Sequence, residues 1–409
     1  MLNKLVFSYF NTSFGYWLAG FLIPLIVLDV SKSPLLVSVS YALNIIPYII
    51  FTPFAGVIGD MVNRKKVIIL GELICAITAT VLLLVPFNNE FVWEMILLGF
   101  VISSMSAIHH PIFQAIIPDI YKGDDLKKIN SNINIIDSLV SILSPVILGV
   151  ILLSMDKHYV IVLIIFCYVL SFSSFSFILY ASHHNNVAFR FSNIMSSMSD
   201  GVKYVFNVKG LRNISILFFF VNFGIRVIAV NLFWIYSMVF HLKDDELALC
   251  FVIIGLGSFL GAKAAIYLIG KFNDENIIAG STFFIGVLSL LLLVANNAIV
   301  MSLILSLSSF VQSIIVVTFF TYRQKITEGF ILSRVISVTR LISFMAIPLS
   351  SLISGYILQK TENRKQKTEN RKQKTENVNI IYSLSGIVVI LSLFLFLIFY
   401  FTKKNILVL

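Results

Sequence analysis

Apolar runs long enough to cross a bilayer recur along almost the whole chain. A helix rises 1.5 Å per residue, so about twenty mostly apolar residues span the hydrocarbon core. Such runs fall at roughly 4–28, 36–59, 67–87, 92–117, 131–154 and 158–181. After a polar stretch they resume at roughly 211–240, 247–270, 277–295, 297–321, 332–358 and 379–402. The pattern predicts an all-α membrane protein of twelve transmembrane helices in two pseudo-symmetric six-helix bundles. The N-terminal half covers 1–181, a cytoplasmic linker 182–210, and the C-terminal half 211–409, with a polar loop at 360–377. The first run has no small-residue cleavage site, so it reads as a membrane helix and not as a removed signal peptide.

Charge placement adds an orientation. Hydrophobic residues make up 58% of the 409 positions and charged residues 12%, more apolar surface than a water-soluble fold can hide. The net charge of +10 stands in short clusters between the runs, a topological signal and not a nucleic-acid surface. With both termini in the cytoplasm, the inner segments hold Lys4, Arg64, Lys65, Lys66, Arg323, Lys325 and many others, whereas five of the six outer loops hold only Lys32, Lys157 and Lys243. That asymmetry predicts a multi-pass protein of the cell membrane, and abundant Ile, Asn, Lys and Phe suggest a bacterial gene. The exception is the last outer loop, where TENRKQK at 361–367 is repeated at 368–374 and followed by TEN. With no apolar residue it cannot form a core, and a solvated, poorly ordered tether is expected.

Catalytic chemistry is missing from the sequence. Cys75, Cys167 and Cys250 lie far apart inside apolar runs, with no CxxC and no histidine at metal-ligand spacing, and read as packing residues. No GxxxxGK[ST], HExxH or GxSxG stretch is present. No enzyme activity, metal or cofactor is expected.

Ionisable residues at membrane depth are the functional candidates, because a charge there costs about 2.5–3.5 kcal/mol on insertion scales. Arg226 lies past the middle of the seventh predicted helix and either lines a substrate cavity or joins an interhelical pair. Asp137, a third of the way along the fifth, either cycles a proton or is the permanent partner of Lys263 in the eighth. His109 and His110 precede Pro111 in the fourth; adjacent residues point to different faces, so at most one serves a proton relay, the alternative being packing. Glu72 stands above the basic cluster Arg64-Lys65-Lys66 and either pairs with it or carries a proton. Asp137 precedes Pro145 by the same interval that separates Arg340 from Pro348 in the eleventh helix, so opposite charges occupy matched places in the two halves and are gate candidates. Pro24, Pro47, Pro145 and Pro348 are expected to soften helices that must bend. Phe14, Tyr16, Trp17, Tyr41, Tyr48, Trp234 and Tyr236 are aromatics that either line a cavity or pack between helices.

Between the second and third predicted helices stands Gly56-Val-Ile-Gly59-Asp60-Met61-Val62-Asn63-Arg64-Lys65-Lys66. An aspartate at a helix C-terminus meets the negative pole of the dipole and requires compensation. The segment resembles the G-x-x-x-D-R-x-G-R-R signature of the major facilitator superfamily at Gly56, Asp60, Arg64 and Lys65, and departs from it at Met61 and Asn63. Shorter stretches in the same order, Ser33-Pro34, Pro111 to Pro118, Asp200-Gly201 and Ser333-Arg334-Val335, extend the resemblance to the drug-efflux branch that includes bacterial macrolide and siderophore exporters. The resemblance implies that Asp60 caps the eleventh helix while Arg64 or Lys65 pairs with Asp119, latching one conformation. The branch's antiporter motif is reduced here to Ser144-Pro145 and Gly149. The second-half counterpart, Gly270-Lys-Phe-Asn-Asp274-Glu275, has its charges reversed, so the latch is expected on one side only. By resemblance the protein is a monomeric secondary transporter, exporting a small amphipathic compound such as an antibiotic, toxin or siderophore by proton antiport and alternating access. Proton-coupled import, or a non-transporting sensor on the same scaffold, is the alternative.

Overall fold

The computed structural model describes the backbone of residues 2–61, 63–121, 123–152, 154–178, 191–269, 271–328, 331–365 and 371–406. Among them there is no strand. The helices are α1 (Leu2–Ser31), α2 (Pro34–Met61), α3 (Arg64–Leu84), α4 (Val92–Ile120), α5 (Gly123–Leu152) and α6 (Lys157–Ser176), then α7 (Phe191–Asn207). They continue with α8 (Lys209–Ala229), α9 (Leu232–Met238), α10 (Asp244–Ile269), α11 (Asp274–Leu291), α12 (Ala298–Lys325), α13 (Leu332–Lys365) and α14 (Arg371–Ile406).

Local chemistry sets several boundaries. Lys32 adopts φ 54°, a left-handed conformation that ends α1, and Pro34 opens α2, where a missing N–H costs nothing. Asn63, Asp156 and Asn297 cap α3, α6 and α12 by accepting from the backbone N–H of Lys66, His158 and Val300. Among the described residues eleven spans are long and apolar enough to cross a membrane, α8 and α9 together forming one of them. The thirty-residue α5 completes the two sets of six.

Contacts divide the chain into two units, 1–32 with 43–195, and 33–42 with 196–409, so the first turns of α2 pack with the second. In the first unit α1 packs along α4, α5 and α6, and α3 lies against α4 and α6. In the second, α8 packs on α13 and α14, and α11 lies against α12 and α14. The pairings correspond: α8 holds the place of α1, α11 of α3, α12 of α4, α13 of α5 and α14 of α6. The closest approach in the second unit is between α10 and α12. A Cβ on Gly257 would fall 2.0 Å from the carbonyl oxygen of Ser306, and one on Gly261 2.1 Å from that of Phe310. A small-xxx-small face thus brings two backbones together without side chains between them.

Three expectations change. The stretch before the second set of helices carries α7, an amphipathic helix whose Gly201 abuts Arg334 and Val338 of α13, with Asp200 3.4 Å from Arg334. The seventh predicted helix breaks after Ala229, leaving α8 and α9 on either side of Val230 and Asn231. The heptad repeat is helical over 361–365 and again from 371, as extensions of α13 and α14; Lys, Arg, Glu and Gln are good helix formers, and an existing membrane helix removes the nucleation cost. Residues 366–370 lie outside the described residues.

Candidate functional site

In the first unit, the interior between α1, α3, α4 and α6 is polar at one level. Glu72 of α3 is 1% exposed and His109 of α4 is 6% exposed, with Nε2 of the histidine 3.1 Å from Oε1 of the glutamate, although out of line for a hydrogen bond. Thr12 of α1 donates to the same Oε1 at 2.5 Å. The chain of hydroxyls continues from Thr12 to Ser171 of α6 at 2.7 Å and from Ser171 to Ser8 at 2.8 Å. Glu72 Oε2 is buried without a hydrogen-bond partner among the described residues. Cys75, Cys167 and Tyr168, all buried, surround the carboxylate, and Phe113 stacks on the histidine. An isolated carboxylate here would be costly; an imidazolium beside it, or a proton on it, removes the net charge.

Glu72 therefore does not pair with the basic cluster. It lies eight residues past Arg64, about 12 Å along the helix, on the face that α1 and α6 cover. Arg64 instead forms an ion pair with Asp119 at the end of α4, at 2.8 Å. Lys65 donates to the carbonyls of Ser176 and Ile178, each at 2.8 Å, closing the open end of α6. The side chains of Gly56 and Asp60 lie outside the described residues, and so does the expected cap on the eleventh helix.

A second carboxylate belongs to the same unit. Asp137 of α5 accepts from the Tyr9 hydroxyl at 2.7 Å and lies 3.6 Å from Nε2 of His110. These partners are on α1 and α4; Lys263, in the other unit, is exposed on α10 with its ammonium 4.5 Å from the Phe259 ring. Both histidines consequently meet carboxylates, on different faces of α4. Pro145 stands half-buried eight residues further along α5, beside Ser144, whose buried hydroxyl has no partner among the described residues.

In the second unit the equivalent of the Arg64–Asp119 pair is Asp274, at the start of α11, with Lys325, at the end of α12, at 2.7 Å. The second unit thus has a charge pair of its own, with the acid at the first turn of α11 and the base on α12, the reverse of the first unit. Tyr322 reinforces it by donating to Glu275 at 2.7 Å.

The same unit holds cations without carboxylates. Arg323, in the last turn of α12, is 5% exposed, donates to Thr339 of α13 at 2.9 Å, and stacks near the Phe319 and Phe320 rings at 5.4 and 5.1 Å. Its Nε has no partner among the described residues, and Arg340 directly follows its acceptor Thr339 in α13. The negative pole of α12 contributes about 0.3–1 kcal/mol, up to about 2 in a partly buried setting. A hydrogen bond from a charged group adds about 1.5–3 kcal/mol. At the end of a span the insertion cost is below its helix-centre value, so these two contributions offset it for Arg323. Among the described residues neither arginine has an ion-pair partner. Arg226 of α8 likewise has a buried Nε without a partner among the described residues and lies near Tyr41.

Sequence reasoning missed Asn231, at the break between α8 and α9. It is fully buried, accepts from Ser38 of α2 at 3.1 Å and donates to Ser354 of α13 at 2.8 Å. The signal available was a lone amide in an apolar run, which must be satisfied internally. Trp234 and Tyr236, read as possible cavity residues, are fully buried, and Tyr236 shares a 2.6 Å hydrogen bond with Ser302.

A lipid-embedded, duplicated six-helix bundle with charge pairs at matching helix ends defines a membrane transporter, and comparison with known proteins gives its family. The Major Facilitator Superfamily pattern matches residues 5–351, and the chain belongs to that superfamily. It is similar to Macrolide efflux protein A of Streptococcus pyogenes, 23% identical over 340 residues, which are 79% of this chain and 80% of that protein. Macrolide efflux protein A of Enterococcus faecalis is 33% identical over 106 residues, 26% of this chain and 33% of that one. The fold is shared with the nucleoside transporter NupG at 12% identity, TM-score 0.70, covering 98% of each chain. It is shared also with a bacterial homologue of the iron transporter ferroportin at 14% identity, TM-score 0.69, over 97% of this chain and 98% of that one.

Proposed function

We propose that this transporter exports a small amphipathic compound, of the macrolide, toxin or siderophore kind, across the bacterial cell membrane in exchange for protons, with both termini in the cytoplasm and as a monomer. The observation that carries the proton coupling is the buried Glu72–His109 contact at 3.1 Å, inside a hydroxyl chain. The pair can hold an imidazolium and a carboxylate or, after proton transfer, two neutral groups, and removing one proton leaves a buried charge that a change of packing must relieve. Coupling then takes the form of a conformational preference that depends on occupancy by a proton. Asp137 with His110 and Tyr9 offers a second, half-buried acceptor. The Arg64–Asp119 pair acts as a latch that holds one conformation and opens in the other, with Gly56, Asp60 and Lys65 as its further members. Export is supported by the efflux relatives, whose likeness extends over most of this chain.

The test is proton movement in inverted membrane vesicles, followed with a pH-sensitive dye and a panel of macrolides, lipophilic cations and siderophores. One compound class should dissipate the gradient in the unaltered protein and not in Glu72→Gln or His109→Asn. Silence across the panel, with the protein verified in the membrane, would overturn proton-coupled export.

A further inference from the structure

We propose that Arg323 and Arg340 form an anion-binding site in the second unit, at the end of α12 against α13, which takes a soluble carboxylate or phosphate group. Arg323 donates to Thr339 at 2.9 Å and Arg340 is the next residue of α13, so two arginines are neighbours here, with no acidic side chain in ion-pair reach among the described residues. Arg323 is nine-tenths buried, and its geometry is fixed by Thr339 and by two phenylalanine rings, leaving Nε unpartnered. Thr339 also donates to the carbonyl of Val335, so its hydroxyl is oriented by the helix and presents its lone pair to the arginine. Arg340 follows Thr339 directly, is half-buried, and supplies a second charge to the same anion. Guanidinium forks match planar carboxylate and tetrahedral phosphate oxygens. Aromatic rings beside the fork favour an anion with an apolar body over a strongly hydrated one such as chloride. The sites of Glu72 and Asp137 belong to the other unit, so this assignment does not depend on how transport is coupled.

The site is tested by binding to the purified full-length protein in neutral detergent at fixed ionic strength and pH. Benzoate and inorganic phosphate are titrated against chloride, with calorimetry and thermal stability as readouts. Phosphatidylglycerol, compared with phosphatidylcholine in mixed micelles, is the lipid arm. Saturable stabilisation by benzoate or phosphate is expected, weakened at least about tenfold by Arg340→Gln. Arg323→Lys, which keeps the charge and removes the fork, should weaken it as well. Should that variant fail to fold, the half-buried Arg340→Gln carries the test alone. Absence of saturable binding in folded, monodisperse protein overturns the proposal, as does binding unchanged in Arg340→Gln. Stabilisation by phosphatidylglycerol alone overturns the assignment of a soluble anion.

Discussion

Asp274 and Lys325 join the start of α11 to the end of α12 at 2.7 Å, in the place where Arg64 and Asp119 join α3 to α4 with the charges exchanged. Helix dipoles make the two pairs unequal. An acid at a helix N-terminus and a base at a C-terminus agree with the macrodipole, as in the second unit; the first unit has both reversed. The second-unit pair is thus a brace that both dipoles favour, and the first-unit pair forms against both dipoles, which suits a latch that must open. Exchanging the first pair, Arg64→Asp with Asp119→Arg, should raise the melting temperature in detergent, by an amount equivalent to about 0.5–1 kcal/mol, and slow turnover. An unchanged or lower melting temperature would show that the dipoles do not distinguish the pairs.

Asp274 is 8% exposed, whereas Asp119 is 35% exposed. Asp274→Asn should destabilise the second unit by about 1–3 kcal/mol, and Asp119→Asn by less than about 1 kcal/mol. Thermal unfolding of the two variants side by side decides it.

Gly257 and Gly261 leave no room for a side chain against the α12 backbone. Gly257→Ala should cost about 1–3 kcal/mol, because backbone and not a flexible side chain must retreat. Size-exclusion profiles and melting curves of Gly257→Ala against Gly280→Ala, where a Cβ meets nothing within 4 Å, provide the comparison.

Asp156 caps α6, and its carboxyl is held below the usual aspartate range, first by the backbone N–H of His158 and then by that residue's side chain. A depressed carboxyl contributes stability that is complete above its unfolded value near 3.9 and is lost as pH falls through the lower folded value. Asp156→Ala should therefore cost about 0.5–2 kcal/mol at pH 7 and progressively less in acid, as read from melting temperature against pH.

The helical membrane architecture was legible because lipid leaves few options for a backbone: length and hydropathy suffice when every N–H must be satisfied within its own helix. The motif around Arg64 was legible as well, since an acid at the C-terminal end of a membrane helix, followed at fixed spacing by three cations, is rarer than the basic loop alone. The partner of Glu72 was not. Its choice between Arg64 and His109 depends on the rotation of α3 and on which helices cover that face, and neither follows from spacing along one helix. Thr12, Ser8 and Ser171 gave no signal, because hydroxyl residues commonly return their bond to the preceding turn, as Thr12 also does to Ser8. Arg323 was counted as a loop charge because it stands two residues before the end of α12; only the packing of α13 over it reveals its burial. The break at Asn231 was not legible, since one amide among about nineteen mostly apolar residues hardly moves a hydropathy window, and its partners Ser38 and Ser354 lie far off in sequence.

Proton release from the purified protein tests the central claim most directly. In weakly buffered detergent solution with a pH-sensitive dye, adding a transported compound should release protons from the unaltered protein and from Asp156→Ala, but not from Glu72→Gln or His109→Asn. Release of the same size from Glu72→Gln would contradict the assignment of the buried Glu72–His109 pair as the proton carrier.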